Sequence, residues 1–179
     1  MELSEAIVRI LVAIALGGLI GIEREYRDKS AGFRTLILIS TGASLFTVLA
    51  FSIAANPMYG GDIDPTRIIS YIISGIGFLG AGVIIKDGHS IKGLTTASTI
   101  WLAAALGMGA GAGFFALTTF ATVVILFALI VLPYVERWID SRQEFKIYEV
   151  SVTSSDVIDE VLGAFIEQGL TVYHYEKSK

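Results

Sequence analysis

Hydrophobic and polar positions separate along this chain into long apolar blocks joined by short charged stretches, and strict alternation appears only in its last part. Five blocks can be marked: Glu5 to Ile22, Phe33 to Ala55, Ile68 to Ile85, Leu94 to Gly111 and Phe114 to Tyr134, the last two separated by little more than glycine. Apolar runs of about 18 residues or more are long enough to cross a hydrocarbon core as helices. The pattern predicts a membrane all-α domain of five transmembrane helices over residues 1–135.

Composition leads to the same place. With 54% hydrophobic residues, 17% charged and a mean hydropathy of +0.70, too little polar surface remains to cover a water-soluble globule. The first block is a poor signal peptide, since "MELSEAIVR" is acidic where a basic region is expected. There is no cysteine, which removes disulfides, thiolate metal sites and cysteine nucleophiles together. A net charge of −4 without clustered basic surface gives no support to nucleic-acid binding.

The basic residues orient the chain. Arg24, Arg27, Lys29 and Arg34 lie between the first two blocks, Lys86 and Lys92 between the third and fourth, and Arg137, Arg142 and Lys146 after the fifth. The opposite joints carry Arg67 alone. Because Lys and Arg in short loops mark the cytoplasmic side, the N-terminus is expected outside and the C-terminus in the cytoplasm.

"GIGFLGAG" over residues 75–82 is a literal G-x-G-x-x-G, but it lies inside an apolar block with no strand before it, so a dinucleotide fingerprint is excluded. The remaining reading is close helix packing, by Gly17 and Gly21, by Gly75, Gly77, Gly80 and Gly82, and by Gly107 and Gly111. A glycine-induced kink or a close backbone approach to a ligand is the alternative.

Charge gathers at one pole. Glu23, Arg24 and Glu25 end the first block, Arg34 and Thr35 open the second, Lys86 and Asp87 end the third, and Lys92, Thr95 and Thr96 open the fourth. Helix N-termini with Arg34 and Lys92 favour anions, while Glu23, Glu25 and Asp87 could offer oxygen to a hard cation such as Mg2+. The plain alternative is that these charges set topology and that Glu23 pairs with Arg34. No block has a carboxylate near its centre, where a cation pathway commonly places one; Ser40, Thr41, Ser44, Ser70, Ser74, Ser98 and Thr99 are the polar groups there. That weakens a transporter or channel without removing it. His89 and His174 fall in a loop and a tail strand, away from any nucleophile and base, so no enzyme is expected.

After an amphipathic connector over residues 136–144 the period changes. "YEVSVT" alternates as a strand, "SSDVIDEVLGAFIEQG" has a serine cap, one apolar face and a glycine stop, and "LTVYHYE" reads as a second strand. A β-α-β unit is predicted over 145–179, too small to be stable alone, so two copies are expected to complete a sheet as a homodimer. A chain cut short of a second half explains the same pattern.

The blocks "GLIGIEREYRDKSAGFRT", "GASLFTVLA" and "SGIGFLGAGVIIKDGHSIKGLTTASTIWLAAALGMGAGAG" resemble the MgtC/SapB family of bacterial inner-membrane proteins over about residues 5–135. By motif match the resemblance carries over Glu23, Arg24, Glu25, Arg34, Thr35, Lys86, Gly93, Thr95, Thr96 and Trp101. It implies an inner-membrane protein linked to magnesium homeostasis, stress adaptation and, in pathogens, virulence, which acts as a non-enzymatic regulator with a membrane-protein or small-peptide partner. Some members carry a transport-ATPase name, yet no G-x-x-x-x-G-K-[ST] occurs in this chain. Many also carry a cytoplasmic domain similar to ACT modules, of which the predicted β-α-β unit is half.

Overall fold

The computed structural model describes residues 1–59, 63–88, 90–140 and 163–166. It divides into two compact units, Met1–Trp138 and Ile139–Lys179. In the first, each apolar block is a helix: α1 (Leu3–Tyr26), α2 (Phe33–Ala54), α3 (Pro65–Gly82), α4 (Leu94–Gly111) and α5, which starts at Phe115 and runs to Asp140. A 3-10 turn, Pro57–Tyr59, follows α2, and a hairpin of β1 (Ile85–Asp87) and β2 (Ser90–Lys92) links α3 to α4. In the second unit the residues described beyond α5 are a helical stretch at 163–166, inside the predicted tail helix; the two flanking strands lie outside the described residues.

Local chemistry sets the helix ends. The last turn of α1 closes with Asp28 at φ 55°, Lys29 N–H donating to the Arg24 carbonyl at 3.0 Å and Asp28 N–H to that of Glu25 at 3.0 Å. This is a Schellman stop with aspartate in place of the usual glycine. The same motif ends α4 at Gly113, φ 88°, where Phe114 N–H reaches the Gly109 carbonyl at 2.9 Å. Asp64 caps α3, its carboxylate accepting from Thr66 N–H at 2.9 Å and Thr66 Oγ1 at 2.6 Å, with Pro65 in the first helical turn.

In the core, α2 packs against both α1 and α4, which also meet, while α3 lies on α4 and α2. The buried stripe of α1 is Ala13, Leu16, Gly17, Ile20, Gly21 and Arg24, at the three-and-four spacing of one helix face. Small residues let the backbones close. A Cβ on Gly17 would stand 2.6 Å from Ser40 Cβ, and one on Gly21 would stand 2.7 Å from Phe33 Cα. From the other side, a Cβ on Gly107 would run into the Ser40 carbonyl, and one on Gly111 would lie 2.7 Å from the Ser44 carbonyl oxygen. Gly80 makes ordinary contact with Ala97, whereas nothing lies within 4 Å of a Cβ built on Gly75, Gly77 or Gly82. Within this chain, close approach to backbone therefore belongs to α1 and α4 against α2, while Gly109 of α4 makes room for the Thr118 methyl of α5. The glycines of "GIGFLGAG" other than Gly80 face open space.

Among the described residues four helices, α1, α2, α4 and α5, are long and apolar enough to cross a membrane. The 18-residue α3 opens with Pro-Thr-Arg, which lowers its mean hydropathy, and it is not among the four. Large apolar side chains such as Leu38, Phe46, Phe120 and Phe127 are exposed around the bundle, as they are where lipid is the solvent.

The charged pole

The residues singled out in the sequence resolve into two groups, and no hydrogen bond or ion pair joins these groups among the described residues. The first group is the turn from α1 to α2. Glu23, with its side chain only 8% exposed, places Oε1 2.7 Å from Arg27 Nε and Oε2 4.0 Å from an Arg24 guanidinium nitrogen. The first contact is not aligned as a hydrogen bond and the second is too long for one, so both Glu23 oxygens and Arg24 Nε are buried with hydrogen-bonding capacity unspent. Arg24 itself is 3% exposed, because it continues the buried face of α1. The expected Glu23–Arg34 pair is replaced by Glu23–Arg27, one helical turn apart.

Arg27 also reaches α5. Its guanidinium donates to the Ile130 carbonyl at 3.2 Å and stands 6.0 Å from the Tyr134 ring centroid, with Arg137 5.8 Å from the same ring. Pro133 lies inside α5 and cannot donate to the helix ladder.

Glu25 serves α2. Its Oε2 accepts from the Phe33 backbone N–H at 3.0 Å, and Gly32 leaves the room this carboxylate occupies. The anion-friendly N-terminus expected at α2 is therefore filled from within the chain. Beside it opens a groove of about 840 Å³ lined by residues including Ile22, Glu25, Tyr26, Lys29, Phe33, Arg34 and Thr35.

The second group is the hairpin and the start of α4. Asp87 and Lys92 pair at 3.5 Å and are both exposed; Lys86 lies between Ile85 and Asp87 in β1. Gly93 takes φ 91° at the N-cap of α4, where any Cβ would meet the Val83 carbonyl. Thr96 is buried, Thr95 and Trp101 are exposed, and Thr99 Oγ1 donates to the Thr95 carbonyl at 2.7 Å.

Each carboxylate considered for a cation thus has an internal partner, and among the described residues no three or more His, Cys, Asp or Glu are grouped to hold a metal. The hydroxyls of the bundle also turn inward. Ser40 Oγ donates to the Ala13 carbonyl at 2.7 Å, Thr47 Oγ1 to Ala43 at 2.8 Å and Thr122 Oγ1 to Thr118 at 2.8 Å, while Thr41 Oγ1 is left unpaired. Ser74 and Ser98 are on the outside. Ser40, Ser74 and Ser98 consequently share no path.

Sequence reasoning missed Arg9 at the opposite pole. It donates to the Gly111 carbonyl in the last turn of α4 at 2.7 Å and pairs with Glu5 at 2.6 Å. A lone arginine in an apolar block, four residues after a glutamate, was the available signal.

A model of the MgtC family matches residues 10–138. An uncharacterized protein of Synechocystis sp. is 42% identical over 142 residues, covering 79% of this chain and 58% of its own. Protein MgtC of Brucella abortus (strain 2308) is 46% identical over 114 residues, 64% of this chain and 45% of that protein. Protein MgtC of Salmonella typhimurium (strain LT2) is 43% identical over 126 residues, 70% of this chain and 52% of that protein. The chain spans about half the length of these relatives. No solved structure matches. The family match over residues 10–138 shows that this chain, with its glycine-closed bundle, belongs to the MgtC family.

Proposed function

We propose that this chain is a non-enzymatic regulator or binding module of the bacterial inner membrane, acting through its charged pole in adaptation to magnesium limitation and stress. On this reading α3 is a fifth span: at about 1.5 Å per residue its 18 residues rise roughly 27 Å, and Phe78 and Leu79 are exposed on it. Five spans put the N-terminus outside and the pole in the cytoplasm, as the basic loops favour. A homodimer formed through the tail completes the proposal.

The observation that carries it is the closed centre of the bundle. Gly107 lies on the backbone of Ser40, Gly17 on its Cβ, and the Ser40 hydroxyl is bonded to α1, so the face of α2 around Ser40 leaves neither room nor a free hydroxyl for a passing cation. The pole, by contrast, combines a buried Glu23–Arg24–Arg27 cluster with exposed Arg34, Lys86 and Trp101. The test is Mg2+ entry into proteoliposomes containing the purified chain, beside Arg34→Ala and Glu23→Ala. No entry above empty liposomes is expected. Entry that disappears in the variants would make the chain a transporter and end this reading.

A further inference from the structure

We propose that the groove between the end of α1 and the start of α2 binds the headgroup of an acidic glycerophospholipid. This goes beyond the regulatory reading and does not depend on it. Four cations lie in or beside this turn, and the structure separates them by task. Arg24 is buried beside Glu23, and Arg27 is held by Glu23 and the Ile130 carbonyl. Lys29 and Arg34 line the groove and make no ion pair among the described residues.

The groove's carboxylate, Glu25, is turned onto the Phe33 N–H at the positive end of α2, which offsets part of its charge. What remains facing outward is net positive. The walls are apolar: Ile22, Tyr26 and Phe33 are 55%, 91% and 42% exposed. Position decides the source of the anion. The groove lies where two helices of spanning length turn back, which is headgroup level, so one lipid can set its phosphate on Lys29 and Arg34 and its acyl chains along Ile22 and Phe33. A volume of about 840 Å³ is generous for inorganic phosphate and suits a phosphoglycerol headgroup.

The test is equilibrium binding of fluorescent phosphatidylglycerol to the full chain in detergent, beside phosphatidylcholine bearing the same fluorophore, with and without inorganic phosphate. Phosphatidylglycerol is expected to bind at least tenfold more tightly, an order-of-magnitude figure for two cations near a surface. Lys29→Gln or Arg34→Gln should weaken it about fivefold each and the pair roughly thirtyfold, with phosphatidylcholine and an Arg67→Gln control unchanged. If the double variant does not fold, the single variants and the charge-keeping Lys29→Arg/Arg34→Lys pair, expected to bind as the parent does, decide the matter. Equal binding of the two lipids, or undiminished binding by the variants, would overturn the proposal. Full displacement by millimolar phosphate would assign the groove to a soluble anion and overturn it too.

Discussion

Gly107 and Gly75 sit in helices of similar make-up, and the same substitution should act oppositely on them. A methyl group on Gly107 runs into the Ser40 carbonyl oxygen and stands 2.9 Å from both Ser40 C and Ser40 Cα. These are backbone atoms and cannot swing aside, and moving α2 would disturb the 2.7 Å bond from Ser40 Oγ to the Ala13 carbonyl. Overpacking of this kind costs about 1–3 kcal/mol, and a rigid obstacle puts Gly107→Ala at the upper end. Removing a helical glycine returns about 1 kcal/mol, so the net loss is about 2 kcal/mol. Around Gly75 a Cβ meets nothing within 4 Å, so Gly75→Ala keeps the gain of about 1 kcal/mol without the clash. The two variants should therefore differ by about 3 kcal/mol in reversible unfolding of the full chain by dodecyl sulfate in mixed micelles, followed by circular dichroism. A Gly107→Ala protein as stable as the parent, or two variants within about 1 kcal/mol of one another, would refute the assignment of close packing to α2 and α4.

Three further outcomes are expected. Glu25→Ala should cost about 1 kcal/mol by uncapping α2, and Glu25→Gln should recover most of it, in the same unfolding assay. Arg27→Ala should cost about 2 kcal/mol because it leaves Glu23 buried beside Arg24 alone; Arg27→Lys, lacking the planar fork, should recover only part, and an unaffected Arg27→Ala would contradict the contact with Ile130. The Thr66 hydroxyl and N–H hold the Asp64 carboxyl below its usual range, so its contribution is complete above the unfolded-state pKa of about 3.9 and is lost as pH falls through the lower folded-state value. Protection from hydrogen exchange at the first turn of α3, corrected for the intrinsic rate at each pH, should fall over that acidic window in the parent and show no such dependence in Asp64→Asn.

The helices were legible because lipid imposes a simple rule: apolar residues in runs of spanning length, with charge left at the joints. Most of their ends were legible to within a few residues, and Pro65 and Gly113 stand where punctuation is expected, but α5 continues past Tyr134 to Asp140, into the stretch read as a connector. The hairpin was hidden because three-residue strands give almost no periodicity, although Gly88 at φ 57° in "KDGHS" suits the first position of a tight reversal. Which glycines close the bundle could not be read, since "GIGFLGAG" and "GMGAG" are both rich in small residues; the position of Ser40 and Ser44 between α1 and α4 distinguishes them. At the pole, sequence named Glu23, Arg24, Glu25 and Arg34 but mispaired them. Glu25, one of three carboxylates that could offer oxygen to a cation, sets one oxygen on the first N–H of α2, and Arg27, counted for topology, donates from α1 to α5.

Flux measurements answer only for the ion supplied, whereas water access to the bundle centre answers for any of them. The chain has no cysteine, so Ser40→Cys introduces a single thiol at the point where α1, α2 and α4 meet. With the variant in inside-out vesicles, which expose the cytoplasmic pole, a charged, membrane-impermeant thiol reagent should leave Cys at position 40 unmodified while labelling a Thr35→Cys control at that pole. Labelling at position 40 at a rate comparable with the control would show a wet path through the bundle and contradict the closed centre on which the account rests.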